Sequence, residues 1–217
     1  MEYLQSVLND RHSLLSSDEH LNSIVDSVGL AISSISASAT KRYFDDFHIG
    51  RKHASLSTSI TRLLLFELED RGWTLDYRLS LISHALEGSL YSFDAVSHFA
   101  NNSKSVVSLD IAFDNRQKLG TLLLKPEITR TAHNAELDNL GDIKCHIQIL
   151  ATSLFKKSVG IDGSVGSYEE YLVAAGVFKE VLTVPTVVFG LSNIAKLKLI
   201  QRKGSDSRTK SHLIIEE

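Results

Sequence analysis

The stretch Val106-Val-Ser-Leu-Asp-Ile-Ala-Phe113 decides the fold class. Val107, Leu109, Ile111 and Phe113 fall on alternate positions with Ser108, Asp110 and Ala112 between them, the period of a strand with one apolar face. Asp110 therefore belongs mid-strand on the more polar side. A lone carboxylate there is more often structural than catalytic, yet a strand face of an α/β domain is also where acids hold magnesium.

Outward from this strand the pattern alternates between strands and helices. Ile143, Cys145, Ile147 and Ile149 interleave with Lys144, His146 and Gln148, which predicts a second strand. The short apolar run Thr121 to Leu124, stopped by Pro126, reads as another, and Pro185 opens a central strand over Thr186 to Leu191. Upstream, Ser16-Ser-Asp-Glu19 has the form of a capping box before Leu21, Ile24, Val25 and Val28, so a helix is expected from about Ser17 to Ile35. Tyr43-Phe-Asp-Asp-Phe47 gives no clean period and predicts a helix end or loop. Ile60, Leu63, Leu64 and Leu68 predict a second helix closed by Gly72-Trp73. The loop Gly160 to Ser167 leads into a third, carrying Tyr168, Tyr171, Leu172 and Ala175. This order implies one mixed α/β domain.

Composition narrows the function classes. With 43% hydrophobic residues, 12 Gly and only 2 Pro in 217 residues, a single core is comfortable and disordered or collagen-like chains are excluded. The net charge of −3 and pI near 6.3 exclude a surface that is basic all over but leave room for a local basic groove. The single cysteine, Cys145, rules out an internal disulfide and cysteine-rich zinc modules, and it fits a reducing compartment. No run approaches the roughly 18 apolar residues of a membrane helix, and Met1 to Arg11 lacks the pattern of a secretory signal. The expectation is a soluble cytoplasmic protein without a membrane partner. Gly160, Gly163 and Gly166 lack the Gly-Lys-Ser/Thr of a phosphate loop, the nine histidines form no His-Glu-x-x-His pair, and there is no Gly-x-Ser-x-Gly elbow. Beyond Asn193 the chain turns basic, with Lys196, Lys198, Arg202, Lys203, Arg208 and Lys210 against Asp206 alone before Ser211. A solvated tail and an arm that touches DNA phosphates are the two readings of that segment.

Several fragments, taken in order, resemble type II restriction endonucleases of the BglII/BstYI group, with the PD-(D/E)XK nuclease fold. They are Leu68-Glu-Asp-Arg-Gly-Trp73, Val96-Ser-His-Phe99, Val107-Ser-Leu-Asp-Ile-Ala-Phe-Asp-Asn115, and Gly166-Ser-Tyr through Val184-Pro-Thr-Val-Val-Phe-Gly-Leu191. The resemblance implies a restriction-endonuclease-like mixed sheet flanked by helices over residues 51–195, preceded by a helical segment (1–50) and followed by the basic tail (196–217). It also implies duplex DNA as partner, a homodimer and, for an active enzyme, Mg2+. The family's three catalytic positions fall on Ser97, Asp110 and Ala112, and only Asp110 keeps a carboxylate, so the site is expected to be degenerate with Asp110 as its one metal ligand. Neighbouring acids that can compensate are Asp94, Asp114, Glu87 and Glu127, with Lys125 as the basic partner. Lys196, Lys198, Arg202 and Lys203 are the candidate DNA-binding residues.

Three functions follow as expectations. The first is a duplex DNA-binding protein with hydrolysis weakened or lost. The second is an active magnesium-dependent type II endonuclease whose acids have migrated. The third is an interaction subunit that keeps the nuclease fold without binding DNA.

Overall fold

The computed structural model describes residues 1–9, 17–48, 56–78, 92–99, 102–113, 116–134, 141–159, 161, 164–194, 197–203 and 209–215. Their elements run β1 (Glu2–Leu8), α1 (Glu19–Ser34), α2 (Ala37–His48), α3 (Leu56–Glu69), β2 (Thr74–Arg78), β3 (Ser92–Phe99), β4 (Asn102–Ile111), a short 3-10 turn (Arg116–Lys118) and α4 (Leu119–Asn134). There follow β5 (Asp142–Ala151), α5 (Ser153–Val159), α6 (Tyr168–Phe178), β6 (Thr186–Asn193), β7 (Leu197–Lys203) and β8 (Thr209–Ile215).

Six strands make one mixed sheet in the order β1-β6-β5-β4-β3-β2. Its centre, β4-β5-β6, is parallel, and β1, β3 and β2 are antiparallel to their neighbours. The strand periodicity divides the core. Val107, Leu109 and Ile111 of β4 and Cys145, Ile147 and Ile149 of β5 face Leu21, Val28 and Ile32 of α1 and Ile60, Leu64 and Leu68 of α3. On the other side Ala112 and Leu150 meet Leu119, Leu122 and Leu123 of α4 and Tyr168, Tyr171 and Ala175 of α6. The mixed α/β sheet read from the sequence is the sheet observed.

Local chemistry sets the helix ends, not always as the sequence suggested. The cap of α1 is Asp18, whose carboxylate accepts from the N–H groups of His20 and Leu21, rather than a box built on Ser16 and Glu19. Ser16 itself lies outside the described residues. Helix α3 ends as expected: Gly72 has φ +84°, a left-handed value open to glycine, and the N–H of Trp73 returns to the Leu68 carbonyl. Ser167 begins α6 with a complete capping box to Glu170.

Two further expectations are overturned. Tyr43 to Phe47 is helical, inside α2, because Phe44 is fully buried in the core while a Lys41–Asp45 pair bridges one turn on the outside. Residues 121–124 are helix rather than strand: Leu119, Leu122 and Leu123 share one buried face at helical spacing, and α4 continues through Pro126. Tertiary burial outweighs the local cost of that proline.

The segment 196–217 contains the antiparallel pair β7–β8, in the register Leu197 with Ile215 and Lys203 with Thr209. This hairpin packs against α5 and α2. Within the expected helical segment 1–50, Glu2–Leu8 instead form a strand, β1, on the sheet edge beside β6.

At Gly190 in β6 the sheet lies close against Tyr168 of α6. A Cβ there would lie 2.6 Å from Cγ of Tyr168, near the root of a ring whose hydroxyl is fixed by Ser6 Oγ at 2.6 Å. Gly190→Val is expected to cost about 1–3 kcal/mol of stability, read as a lower urea midpoint. An unchanged midpoint would show that this contact yields freely.

Candidate active site

Strand β4 presents its even residues, Ser108 and Asp110, to the α4/α6 side, and β5 lies beside it in parallel register with His146 next to Ser108 and Gln148 next to Asp110. All four side chains are buried. Polar groups in such a place must satisfy one another. Ser108 Oγ and His146 Nδ1 are 3.0 Å apart, His146 Nε2 and Gln148 Oε1 3.4 Å, and the Gln148 amide donates to the Asp110 carbonyl at 3.1 Å.

The Asp110 carboxylate is only 4% exposed, and its counter-charge comes from α4. Lys125 Nζ donates to Oδ1 at 2.6 Å and to Oδ2 at 2.8 Å, and lies 4.6 Å from the centre of the Phe93 ring. The helical reading of residues 119–134 is what makes this contact possible.

Asp94 of β3 completes the arrangement. Main-chain pairing of β3 with β4 extends as far as Ala95–Leu109, and at the next position side chains take over. The Ile111 N–H donates to Asp94 Oδ2 at 2.7 Å, while the Asp94 N–H points to Asp110 Oδ1 at 3.4 Å. Where the strands part, each is thus tied to the other's carboxylate through a main-chain N–H. Asp94 also borders a cleft of about 490 Å³ lined by Thr58, Thr61, Arg62, Asp76 and Phe113.

The electrostatics follow from burial. His146 is held neutral, its pKa lowered to about 3 by desolvation first and then by the Lys125 charge, against a smaller opposing pull from Gln148. The phenol of Tyr171, across in α6, is pushed upward by burial and by the Asp110 charge. The charges that face each other at this site are therefore the Asp110 carboxylate and the Lys125 ammonium.

The other expected site residues lie elsewhere. Ser97 is opposite Val107, three residues down β4 from Asp110 and so about 10 Å away along the strand. Ala112 is buried among the leucines of α4, its N–H bonded to the Ile149 carbonyl. Glu127, two residues beyond Lys125, clamps α4 to the start of β6: its carboxylate accepts from Thr183 N at 2.5 Å, Thr183 Oγ1 at 2.6 Å and Val184 N at 2.6 Å. Asp114, Glu87 and Lys196 lie outside the described residues. Lys198, Arg202 and Lys203 belong to β7, with Lys198 in register with Ile214 and Arg202 with Lys210. Sequence reading missed Ser108, His146, Gln148 and Phe93 as partners of the site; the shared parity of the two flanking strands is the signal that links the first three.

The donor set does not fit a divalent metal as it stands. Among the described residues no three His, Cys, Asp or Glu side chains gather to hold one. Magnesium demands an octahedron of oxygens, and both oxygens of Asp110 are engaged by an ammonium group. A divalent ion about 4 Å from that ammonium would be repelled by an energy of the order of 8 kcal/mol at an effective dielectric constant of 20.

A family model described as restriction endonuclease BglII/BglIII matches residues 6–191. The chain belongs to this restriction endonuclease family. Its fold agrees with a crystal structure of restriction endonuclease BglII complexed with a DNA 16-mer, at TM-score 0.60 and 13% identity over 100% of both chains. A structure of free BglII also matches, at TM-score 0.49 and 13% identity over 99% of this chain and 93% of that one. No curated protein matches the chain. At this identity the likeness to BglII shows the fold, and the site stands on its own geometry.

The neutral histidine gives a pH signature. Between about pH 3 and the ordinary histidine value of 6.5 the unfolded chain binds one proton more than the folded one at His146. That contribution to stability is whole above pH 6.5 and is lost as pH falls, by about 1.4 kcal/mol per unit. His146→Asn should flatten the fall in melting temperature between pH 7 and pH 5; parallel curves for the two proteins would refute a neutral buried His146.

Proposed function

We propose that this restriction endonuclease family member binds duplex DNA but hydrolyses it weakly or not at all. The observation that carries the reading is the Asp110 carboxylate, buried and held through both oxygens by Lys125. Phosphodiester hydrolysis in this fold calls for a metal that polarises the phosphate and activates water. Neither Ala112 nor the distant Ser97 adds a ligand, so the seat for that metal is not assembled.

Binding has different requirements. It rests on cationic side chains against phosphates, and the neighbour of the same fold carries a DNA 16-mer. In this chain the basic segment with Lys196, Lys198, Arg202 and Lys203 supplies such groups against a net charge of −3. A two-fold homodimer on a palindromic site is the assembly that symmetric duplex recognition favours.

One observation favours a second reading, an active Mg2+-dependent type II endonuclease. Asp94 and Asp110 lie on adjoining strands linked by N–H to carboxylate bonds, and Lys125 holds Asp110, so two acids and a lysine fall on one stretch of the sheet although none of the three occupies the pattern expected at 97 and 112.

Gel retardation and plasmid cleavage separate these readings. Retardation at low salt is expected to weaken by about a thousandfold between 50 and 200 mM salt, as for a protein with about six phosphate contacts. Supercoiled plasmid should remain intact in Mg2+ or Mn2+. Cleavage abolished by Asp94→Asn would establish the second reading, and absence of salt-dependent retardation would remove DNA binding altogether.

A further inference from the structure

We propose that the Lys125 ammonium is the site's resident cation, a covalently tethered substitute for a divalent ion, so that the folded site needs no metal and rejects one. The inference rests on the reading that hydrolysis is weakened or lost, and it concerns the chain's own charge balance.

The geometry is that of a cation site already filled. Asp110 is buried on a central strand, and two of the three donors of Lys125 go to its two oxygens. The ammonium also rests against the face of Phe93, which is itself buried, so the cation has a built pocket with an anionic floor and an aromatic wall. Two ionisable groups beside it are accounted for. His146 Nε2 is 3.9 Å from Asp110 Oδ2 and is held uncharged, and Asp94 gives one oxygen to the Ile111 N–H. Lys125 is fixed from its own helix as well, because the Glu127 clamp and the bond from Thr129 Oγ1 to the Lys125 carbonyl anchor the turn that carries it.

Removing the ammonium should convert the pocket into a metal seat. Asp110 would be left as a buried anion without its lysine, on the strand beside Asp94, the situation in which a hard divalent cation gains most. The chain as it exists would then be metal-blind, and its Lys125→Gln variant metal-dependent for stability.

The test uses full-length protein, MnCl2 as the probe, thermal melts and electron paramagnetic resonance of Mn2+, without DNA. Wild type should melt at the same temperature in EDTA and in millimolar Mn2+ and bind no ion. Lys125→Gln should melt about 10 °C lower in EDTA, regain most of that loss in Mn2+ and bind one ion per chain. Adding Asp94→Asn to it should weaken Mn2+ binding at least about tenfold, the lower end of what losing a supporting group costs a metal site. The neutral pair Lys125→Met/Asp110→Asn should fold and ignore Mn2+.

Mn2+ binding or a raised melting temperature in the wild type would overturn the inference. So would a Lys125→Gln chain that stays unfolded, or binds no ion, in Mn2+. Wild-type Mn2+ binding together with plasmid cleavage would sink the loss of hydrolysis as well; binding without cleavage would sink only the inference. Loss of DNA binding alone would leave it standing.

Discussion

A carboxylate buried in the middle of a sheet must be neutralised by something, and here the Lys125–Asp110 ion pair does it. Breaking such a pair from one side costs about 3–5 kcal/mol, because the remaining charge stays buried. The surrounding chain is arranged around that constraint. Helix α4 has to cross the sheet where its lysine reaches Asp110, its leucines supply the apolar contact that holds it there, and Glu127 ties the next turn to the start of β6. His146 stays neutral because burial disfavours its charged form and the Lys125 charge adds to that, and its ring nitrogens are then available to Ser108 and Gln148.

Much of this was legible in the sequence, for definite reasons. The strands around Asp110, Ile147 and Val188 announce themselves because one or both of their faces are apolar, and Gly72 marks the end of α3 because the chain turns left-handed there. Asp110 was identifiable as the site's acid from its place on the strand, and Lys125 and Asp94 stood among its possible partners. The role of Lys125 was obscured by Pro126, which made a helix look like an interrupted strand. Local propensity argued one way and the burial of Leu119, Leu122 and Leu123 decided the other. Ser97 illustrates a different limit: its resemblance to a catalytic position depends on spacing along one strand, whereas the meeting with Asp110 depends on antiparallel register, which places Asp94 there instead. Register across a hairpin is a tertiary property, and a single sequence records it poorly.

The family relationship and the site chemistry are thus separate layers. The overall fold agrees with that of BglII at 13% identity, since a fold requires only apolar periodicity and compatible connections. The site requires particular donors at particular distances, and here the charge that a metal would balance is balanced by the chain.

The most direct measurement is an anomalous difference map from a crystal of the protein soaked in manganese. The account predicts no peak at Asp110, with Lys125 Nζ still within about 3 Å of both carboxylate oxygens. A peak bridging Asp94 and Asp110, with the lysine displaced, would contradict it.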